Sequence, residues 1–157
     1  MTEEPAPERD CAAVALSATL AGMAGYSHYL WVAVGSALGG VGRFALSQVL
    51  AQRWGETFPW GTLVVNVSGS FAIGCIATLI VSEERFFGTA AGRYFLMTGV
   101  LGGYTTYSSF SLQTLVLARE GAWLRAAANA GGTVVLCFLA VWLGYLLANW
   151  LNAARAG

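Results

Sequence analysis

Residues 102–111 read GGYTTYSSFS, a run of glycines and hydroxyl side chains between the apolar segments 94–97 (YFLM) and 115–117 (LVL). In a helix that faces lipid, consecutive glycines and unpaired hydroxyls would be unfavourable. Polar groups inside an apolar span usually line a path or a contact. Gly102-Gly103 followed by Thr105-Thr106 predicts a helix that breaks near mid-membrane, where the freed backbone carbonyls can coordinate a cation.

Side chains after this break are spaced to face one side of a helix. Tyr107, Phe110 and Thr114 lie at i, i+3 and i+7. Because aromatic rings carry a positive edge, two ring edges beside hydroxyls such as Ser109 could form a weak anion site. A glycine-hinged packing helix is the alternative, and it would not need so many hydroxyls.

Three other apolar stretches carry polar residues that admit two interpretations each. Asn66 could join two helices, or it could offer amide donors to an anion without a charge that would trap it. Arg43 could snorkel to the interface, or attract anions to an entrance. A third set lies at i, i+4 and i+8 on one helix face, as a polar stripe or a packing seam: Asn129, Thr133 and Cys137.

The composition predicts an all-α integral membrane protein. Of 157 residues, 57% are hydrophobic and only 10% are charged, whereas soluble domains carry roughly 25% charged residues. The net charge is zero and no basic patch suggests nucleic acid. One histidine, three scattered cysteines and carboxylates restricted to tails and loops provide no catalytic or metal-binding constellation, so we expect no enzyme.

Four stretches are long enough to cross a membrane, which needs ~20 apolar residues. They run from about Tyr29 to Gln52, Trp60 to Val81, Ala91 to Leu117 and Trp123 to Leu151. We therefore predict a transmembrane domain at 28–152 and a C-terminal tail at 153–157. Residues 1–27 are expected to be a poorly ordered tail or an interfacial helix, because their apolar part is short and follows an acidic leader.

The arginines predict insertion in both orientations. With four spans, one side of the membrane holds four of the eight arginines and the opposite side holds three, leaving aside Arg43 within the first span. The positive-inside rule needs a bias to fix orientation. Since the chain has no internal repeat, inverted symmetry would require two chains that pack antiparallel.

Three motifs and the four-span layout resemble the Fluc/CrcB family of fluoride channels over about residues 29–150. The motifs are GGVGR (39–43), PWGTLVVNVSGSFAIG (59–74) and GVLGGYTTYSSFS (99–111). The resemblance implies passive fluoride export and fluoride resistance. It also implies a multi-pass location in the bacterial inner (plasma) membrane and an antiparallel, dual-topology homodimer with two pores.

The resemblance also implies roles for particular residues. Backbone carbonyls of Gly102 and Thr105 would hold a structural sodium ion between the subunits. The implied fluoride pathway contains Asn66, Tyr107, Phe110, Ser109, Thr133 and Arg43, with Cys137 further along the fourth span. The chain departs from the family pattern at Tyr107 (phenylalanine), Ser109 (threonine), Gln113 (often glutamate), Cys137 and Val141 (often hydroxyl residues).

Three alternatives remain at this point. A small dual-topology transporter of four spans would need a membrane-embedded carboxylate, and this chain has none in its predicted spans. Some bacteria encode two such chains that work as a pair, so the chain could be half of a heterodimeric channel. A non-transporting assembly subunit would use the glycine pairs as dimer contacts alone.

Overall fold

The computed structural model describes residues 8–80 and 88–156, and the regular structure within both ranges is helical. The elements in chain order are α1 (Glu8–Trp54), α2 (Trp60–Ile80), α3 (Ala90–Arg93), a π-helical segment (Tyr94–Leu101), α4 (Gly102–Tyr104), α5 (Tyr107–Arg119) and α6 (Trp123–Ala156). Within these two ranges, three stretches are long and apolar enough to cross a membrane: Tyr26–Trp54, Trp60–Leu79 and Trp123–Arg155. They correspond to the first, second and fourth predicted spans, with ends that differ by a few residues.

The third predicted span, residues 91–117, is divided into shorter pieces. Backbone over residues 90–104 is helical, Thr105 and Thr106 are extended, and α5 then runs for 13 residues. None of these pieces alone has the ~20 residues that a spanning helix needs. Eight residues of the first part form a π-helix, a rare geometry that is frequent at functional sites.

The described residues near both ends of the chain are helical. The predicted tail at 1–27 lies partly outside the described residues, but from Glu8 onward its backbone continues into α1 without a break. At the other end α6 extends to Ala156, beyond the predicted boundary at residue 152. The predicted loop at 82–85 lies outside the described residues, and the interfacial position of the N-terminal segment stays a prediction.

Short turns with specific backbone chemistry join the helices. Gly55 directly follows the last residue of α1, and its φ of 76° is in the left-handed region that favours glycine. α5 ends in a Schellman motif at Gly121, where the N–H of Ala122 donates to the Leu117 carbonyl at 2.9 Å. Pro59 precedes α2, and its carbonyl accepts from the N–H of Leu63. The short connections between α1 and α2 and between α5 and α6 are typical of antiparallel neighbouring helices.

α1 packs closely against the π-helical segment because α1 presents two glycines there. A Cβ on Gly35 would overlap the carbonyl oxygen of Phe95, and a Cβ on Gly39 would overlap that of Val100. Gly35 and Gly39 lie four positions apart, a small-x-x-x-small spacing that permits close helix approach. This seam lies within one chain, so these glycines do not act as dimer contacts alone.

α2 and α6 pack along each other in the same way. A Cβ on Gly74 of α2 would overlap the carbonyl oxygen of Val141, and a Cβ on Gly144 of α6 would overlap that of Phe71. The two glycines thus bring the backbones together from opposite sides. The outer surfaces of the helices carry large exposed apolar side chains, among them Leu38, Leu115, Phe138 and Trp142, which suit contact with lipid or another chain.

Candidate functional site

The site is built around the interruption between α4 and α5. Thr105 (φ −77°, ψ 157°) and Thr106 (φ −150°, ψ 114°) have extended backbones. The N–H of Thr105 still donates to the Leu101 carbonyl at 3.0 Å, which closes the last helical turn. The hydroxyl of Thr106 accepts from the N–H of Ser109 at 3.2 Å and so forms the N-cap of α5.

Asn66 of α2 holds the interruption with two hydrogen bonds. Its Nδ2 donates to the Thr106 carbonyl at 3.0 Å, and its Oδ1 accepts from the Thr106 N–H at 2.8 Å. The side chain is only 8% exposed. An asparagine amide has two N–H donors, so one remains beyond the donor used for Thr106. Asn66 therefore joins α2 to the broken segment.

These hydrogen bonds free two backbone carbonyls from their usual helical partners. In a continuous helix the Gly102 carbonyl would accept from Thr106 and the Thr105 carbonyl from Ser109. Here the N–H of Thr106 donates to Asn66, and the N–H of Ser109 donates to the Thr106 hydroxyl. The same two carbonyls are those that the resemblance implies as cation ligands. Their chemistry suits a hard cation.

A cavity of about 430 Å³ lies beside the interruption. It brings together four of the six predicted pathway residues and both predicted carbonyl-bearing residues. They are Asn66, Tyr107, Phe110, Thr133, Gly102 and Thr105. Cys137 also lines this cavity, whereas no aspartate or glutamate of the described residues does.

Tyr107 and Phe110 form a tilted aromatic pair at the start of α5. Their ring centroids are 5.3 Å apart and their planes meet at 51°. Their surroundings differ, because Phe110 is 7% exposed and Tyr107 is 78% exposed in the single chain. A change at Phe110 therefore disturbs packing as well as the cavity, while a change at Tyr107 disturbs mainly the cavity wall.

The other two predicted pathway residues lie outside the lining of this cavity. Ser109 is half-buried, and its hydroxyl accepts from the Thr106 hydroxyl at 3.1 Å. Arg43 is half-buried on α1, and its Nε has no hydrogen-bond partner among the described residues. A role for either residue in ion movement stays a prediction.

The predicted polar stripe on α6 contributes two buried residues. Asn129 is fully buried and Thr133 is 5% exposed. Nδ2 of Asn129 donates to the Thr114 hydroxyl at 2.8 Å, and the Thr133 hydroxyl donates to Oδ1 of Asn129 at 3.5 Å. The stripe therefore does both things that the sequence allows: Asn129 joins α6 to α5, and Thr133 faces the cavity.

A second cavity, of about 620 Å³, lies where the ends of α1 and α5 meet the start of α2. Charged and polar side chains gather here, namely Glu56, Glu120, Arg125 and Gln113. Nη1 of Arg125 donates to the Thr57 carbonyl at 3.4 Å. Glu56, Glu120 and Arg125 thus line this second cavity and do not line the cavity beside the interruption.

Thr106 is a site residue that the sequence analysis did not identify as one. Its signal is local, since a threonine directly before the first residue of a helix is typical of an N-cap. The contact between Thr106 and Asn66 has no such signal, because 40 residues separate them. Within the described residues, no three histidine, cysteine, aspartate or glutamate side chains are grouped to hold a metal.

The long apolar helices of the described residues define a multi-pass membrane protein. Residues 30–145 match the family described as CrcB-like protein, Camphor Resistance (CrcB), and the chain belongs to this family.

The chain is also similar to individual members along nearly their whole length. It is 62% identical to the "Fluoride-specific ion channel FluC" of Opitutus terrae over 82% of this chain and 98% of the relative. It is 54% identical to the protein of the same name from Paramagnetospirillum magneticum, over 79% of this chain and 97% of the relative. "Fluoride-specific ion channel FluC 2" of Rhodopseudomonas palustris is 54% identical over 78% and 93%.

Proposed function

We propose that the chain forms a fluoride-selective channel. It exports fluoride passively across the bacterial cytoplasmic membrane and so confers fluoride resistance. The observation that carries this proposal is the cavity of about 430 Å³, which combines an amide, hydroxyls and two aromatic rings and has no carboxylate among its described lining residues. The names of the relatives, each a fluoride-specific ion channel, support fluoride as the ion.

Fluoride is small and strongly hydrated, so a pore must replace its water with many moderate donors. The hydroxyl of Thr133 and the edges of the Tyr107 and Phe110 rings are donors of this kind. A carboxylate in the same place would repel the ion, and a fixed cation would hold it too strongly. The donor set therefore suits rapid passage of an anion better than storage of one.

Asn66 has two functions in this proposal. Its two hydrogen bonds to Thr106 keep the α4–α5 interruption open, and its second Nδ2 N–H serves as a donor to the passing ion. The interruption lies near mid-membrane in the proposed channel. The geometry of the interruption and the donor to the ion thus both depend on the Asn66 side chain.

The proposed assembly is an antiparallel, dual-topology homodimer. Its support is the near balance of arginines on the two sides of the membrane and the exposure of Tyr107, which a second subunit would cover. The carbonyls of Gly102 and Thr105 would hold a structural sodium ion between the subunits, where a cation would neutralise their partial negative charge.

Two other assemblies remain as alternatives. Rhodopseudomonas palustris has relatives named FluC 1 and FluC 2, which is compatible with a pair of sister chains. A small dual-topology transporter is favoured less, because the described cavity lining has no carboxylate to bind a proton or cation. Fluoride flux through protein purified from cells that produce this chain without a sister chain would exclude a requirement for the sister chain.

Growth in fluoride tests the proposed function in cells. A bacterial strain without its own fluoride exporter should grow in fluoride when it produces this chain, and should fail to grow when it produces Asn66→Asp at equal membrane abundance. The matched condition is equimolar chloride, where both cultures should grow alike. Equal sensitivity of both strains to fluoride would contradict the proposal.

A further inference from the structure

Asn129 is a buried amide that the proposed pathway does not include. It lies on α6 with no solvent exposure, and among the described residues it is one of the two largest fully buried side chains. A buried amide is unfavourable unless it is hydrogen-bonded. Asn129 does not line the cavity of about 430 Å³, so any effect on the cavity must pass through its neighbours.

A chain of hydrogen bonds runs through Asn129 from one cavity residue to another. The Thr133 hydroxyl donates to Oδ1 of Asn129 at 3.5 Å, and Nδ2 of Asn129 donates to the Thr114 hydroxyl at 2.8 Å. The Thr114 hydroxyl in turn donates to the Phe110 carbonyl at 2.8 Å. Thr133 and Phe110, at the two ends of this chain, both line the cavity.

The direction of each bond follows from the chemistry of its acceptor. A carbonyl oxygen can only accept, so the single proton of the Thr114 hydroxyl goes to Phe110. Thr114 must then accept from Asn129, which directs Oδ1 of Asn129 toward Thr133. The last bond, at 3.5 Å, is at the long limit for a hydrogen bond, so the Thr133 proton is the one most easily turned toward another acceptor.

α5 packs mainly against α6 within the described chain, which makes the contact between Asn129 and Thr114 important for the position of α5. Phe110 lies one helical turn before Thr114. A shift of this turn would move the Phe110 ring relative to Thr133 across the cavity.

We propose that Asn129 is a positioning residue for fluoride permeation, an inference that rests on the proposed channel function. Through Thr114 it fixes the turn of α5 that carries Phe110. Its long bond to the Thr133 hydroxyl orients that group without holding its proton strongly, so the proton can turn toward an anion in the cavity.

A pair of apolar substitutions separates positioning from stability. Replacing both hydrogen-bond partners by apolar groups of similar shape can be nearly neutral for stability. The double variant Asn129→Leu/Thr114→Val removes the bond between these two residues from both sides, and the Thr133 hydroxyl loses only its long bond of 3.5 Å. We therefore expect the double variant to keep a melting temperature close to that of the unmodified protein. Its fluoride efflux from liposomes should fall by about tenfold, the effect of losing one net hydrogen bond from the conducting arrangement.

Single variants keep the test decisive if the double variant does not assemble. Thr114→Ser retains the hydroxyl and should conduct nearly normally, whereas Thr114→Val should conduct less. Asn149→Leu makes the same change at an exposed asparagine of α6 and should alter neither flux nor melting temperature.

Three results would overturn the inference. Normal flux in the double variant, or in Thr114→Val, would show that the hydrogen-bond chain does not position the pathway. A double variant that loses thermal stability and flux together would assign Asn129 to folding alone. If the unmodified protein releases no fluoride, the proposed function fails and the inference fails with it.

Discussion

At the scale of the residue, one side chain links the backbone geometry of the site to its chemistry. Asn66 holds both the N–H and the carbonyl of Thr106, and in the proposed channel it also meets the ion. Helix–helix contact and anion donor were separate interpretations of this residue in the sequence. The two hydrogen bonds to Thr106 show the helix–helix contact directly. The second N–H of Asn66 Nδ2 remains for the role of anion donor.

Replacement of Asn66 by aspartate should abolish fluoride flux. The variant keeps an acceptor for the Thr106 N–H but loses the donor to the Thr106 carbonyl, and it places a negative charge where an anion must pass. At an effective dielectric constant of 20 and ~4 Å, two such charges repel by about 4 kcal/mol. Size-exclusion chromatography should still show an intact dimer, while efflux from liposomes should be lost.

Asn66→Leu is the matched control for this charge effect. It removes both hydrogen bonds without adding a charge and leaves the Thr106 N–H and carbonyl unpaired, at a cost of about 1–3 kcal/mol each. Its melting temperature should fall, and its flux should fall as well because the amide donor to the ion is lost, but without the charge repulsion that is specific to Asn66→Asp. Near-normal flux in Asn66→Asp would restrict Asn66 to a packing role.

Tyr107 tests whether the ring edge or the hydroxyl faces the ion. Tyr107→Phe keeps the ring-edge hydrogens and should conduct, whereas Tyr107→Ile removes the quadrupole and should reduce flux by up to about tenfold, given typical aromatic contact energies. Because Tyr107 is exposed in the single chain, neither change should prevent folding. Loss of flux in Tyr107→Phe, with Tyr107→Ile no worse, would identify the hydroxyl as the contact.

Phe110→Ile should reduce flux more than Tyr107→Ile does. Phe110 is 7% exposed, so its replacement also disturbs the packing of α5. Its melting temperature must therefore be measured beside its flux. Normal conduction in both isoleucine variants would mean that the aromatic pair is core packing and that the pathway lies elsewhere.

At the scale of the element, the sequence predicts the helices better than the details of the interruption. Apolar length and flanking turns predict the ends of α2 and the start of α6 closely, because those signals are local. Gly102-Gly103 followed by Thr105-Thr106 predicts a break in the third span, and the structure places the extended backbone at the two threonines and not at the two glycines. The N–H groups of Thr106 and Ser109 donate to side chains and not to helical carbonyls, which explains this position. One of the accepting side chains is Asn66, which lies 40 residues before Thr106 in the sequence.

The length of the third span is predicted from apolar content, which is the same for a continuous helix and for an interrupted one, so the break is predicted only from Gly102-Gly103 and Thr105-Thr106. Neither the π-helical segment nor the short α4 has a hydropathy signal of its own. The hydrogen bond between Asn129 and Thr114 is also hidden from the sequence, because it depends on how α5 and α6 face each other. Tertiary contacts therefore account for most of what the sequence analysis left open.

The seam between α1 and the π-helical segment predicts different effects for two adjacent glycines. A Cβ on Gly39 would overlap the Val100 carbonyl, whereas a Cβ on Gly40 would meet nothing closer than the Arg43 side chain at 4.0 Å. Gly39→Ala should therefore destabilise the protein by about 1–3 kcal/mol, as overpacking does. Gly40→Ala should be almost neutral and serves as the matched control.

Thermal unfolding of the detergent-solubilised protein measures this difference. Gly39→Ala should melt several degrees below Gly40→Ala, the latter being close to the unmodified protein. Equal melting temperatures for the two variants would contradict the close packing of α1 against residues 94–101.

At the scale of the whole molecule, the arginine balance predicts insertion in both orientations. Two C-terminal reporters, one active in the cytoplasm and the other outside it, should both give signal. Because the balance is nearly even, added arginines in the loop between α1 and α2 should shift the chain toward one orientation. Signal from a single reporter in the unmodified chain, unaffected by the added charges, would rule out dual topology.

The central claim is that this cavity conducts fluoride and rejects chloride, and ion efflux from liposomes tests it most directly. Purified protein in vesicles loaded with potassium fluoride or potassium chloride is diluted into ion-poor buffer, and valinomycin then balances the charge of the escaping anion. The account predicts rapid release of fluoride and no release of chloride above that of protein-free vesicles. Comparable chloride release, or no release of either ion, would contradict it.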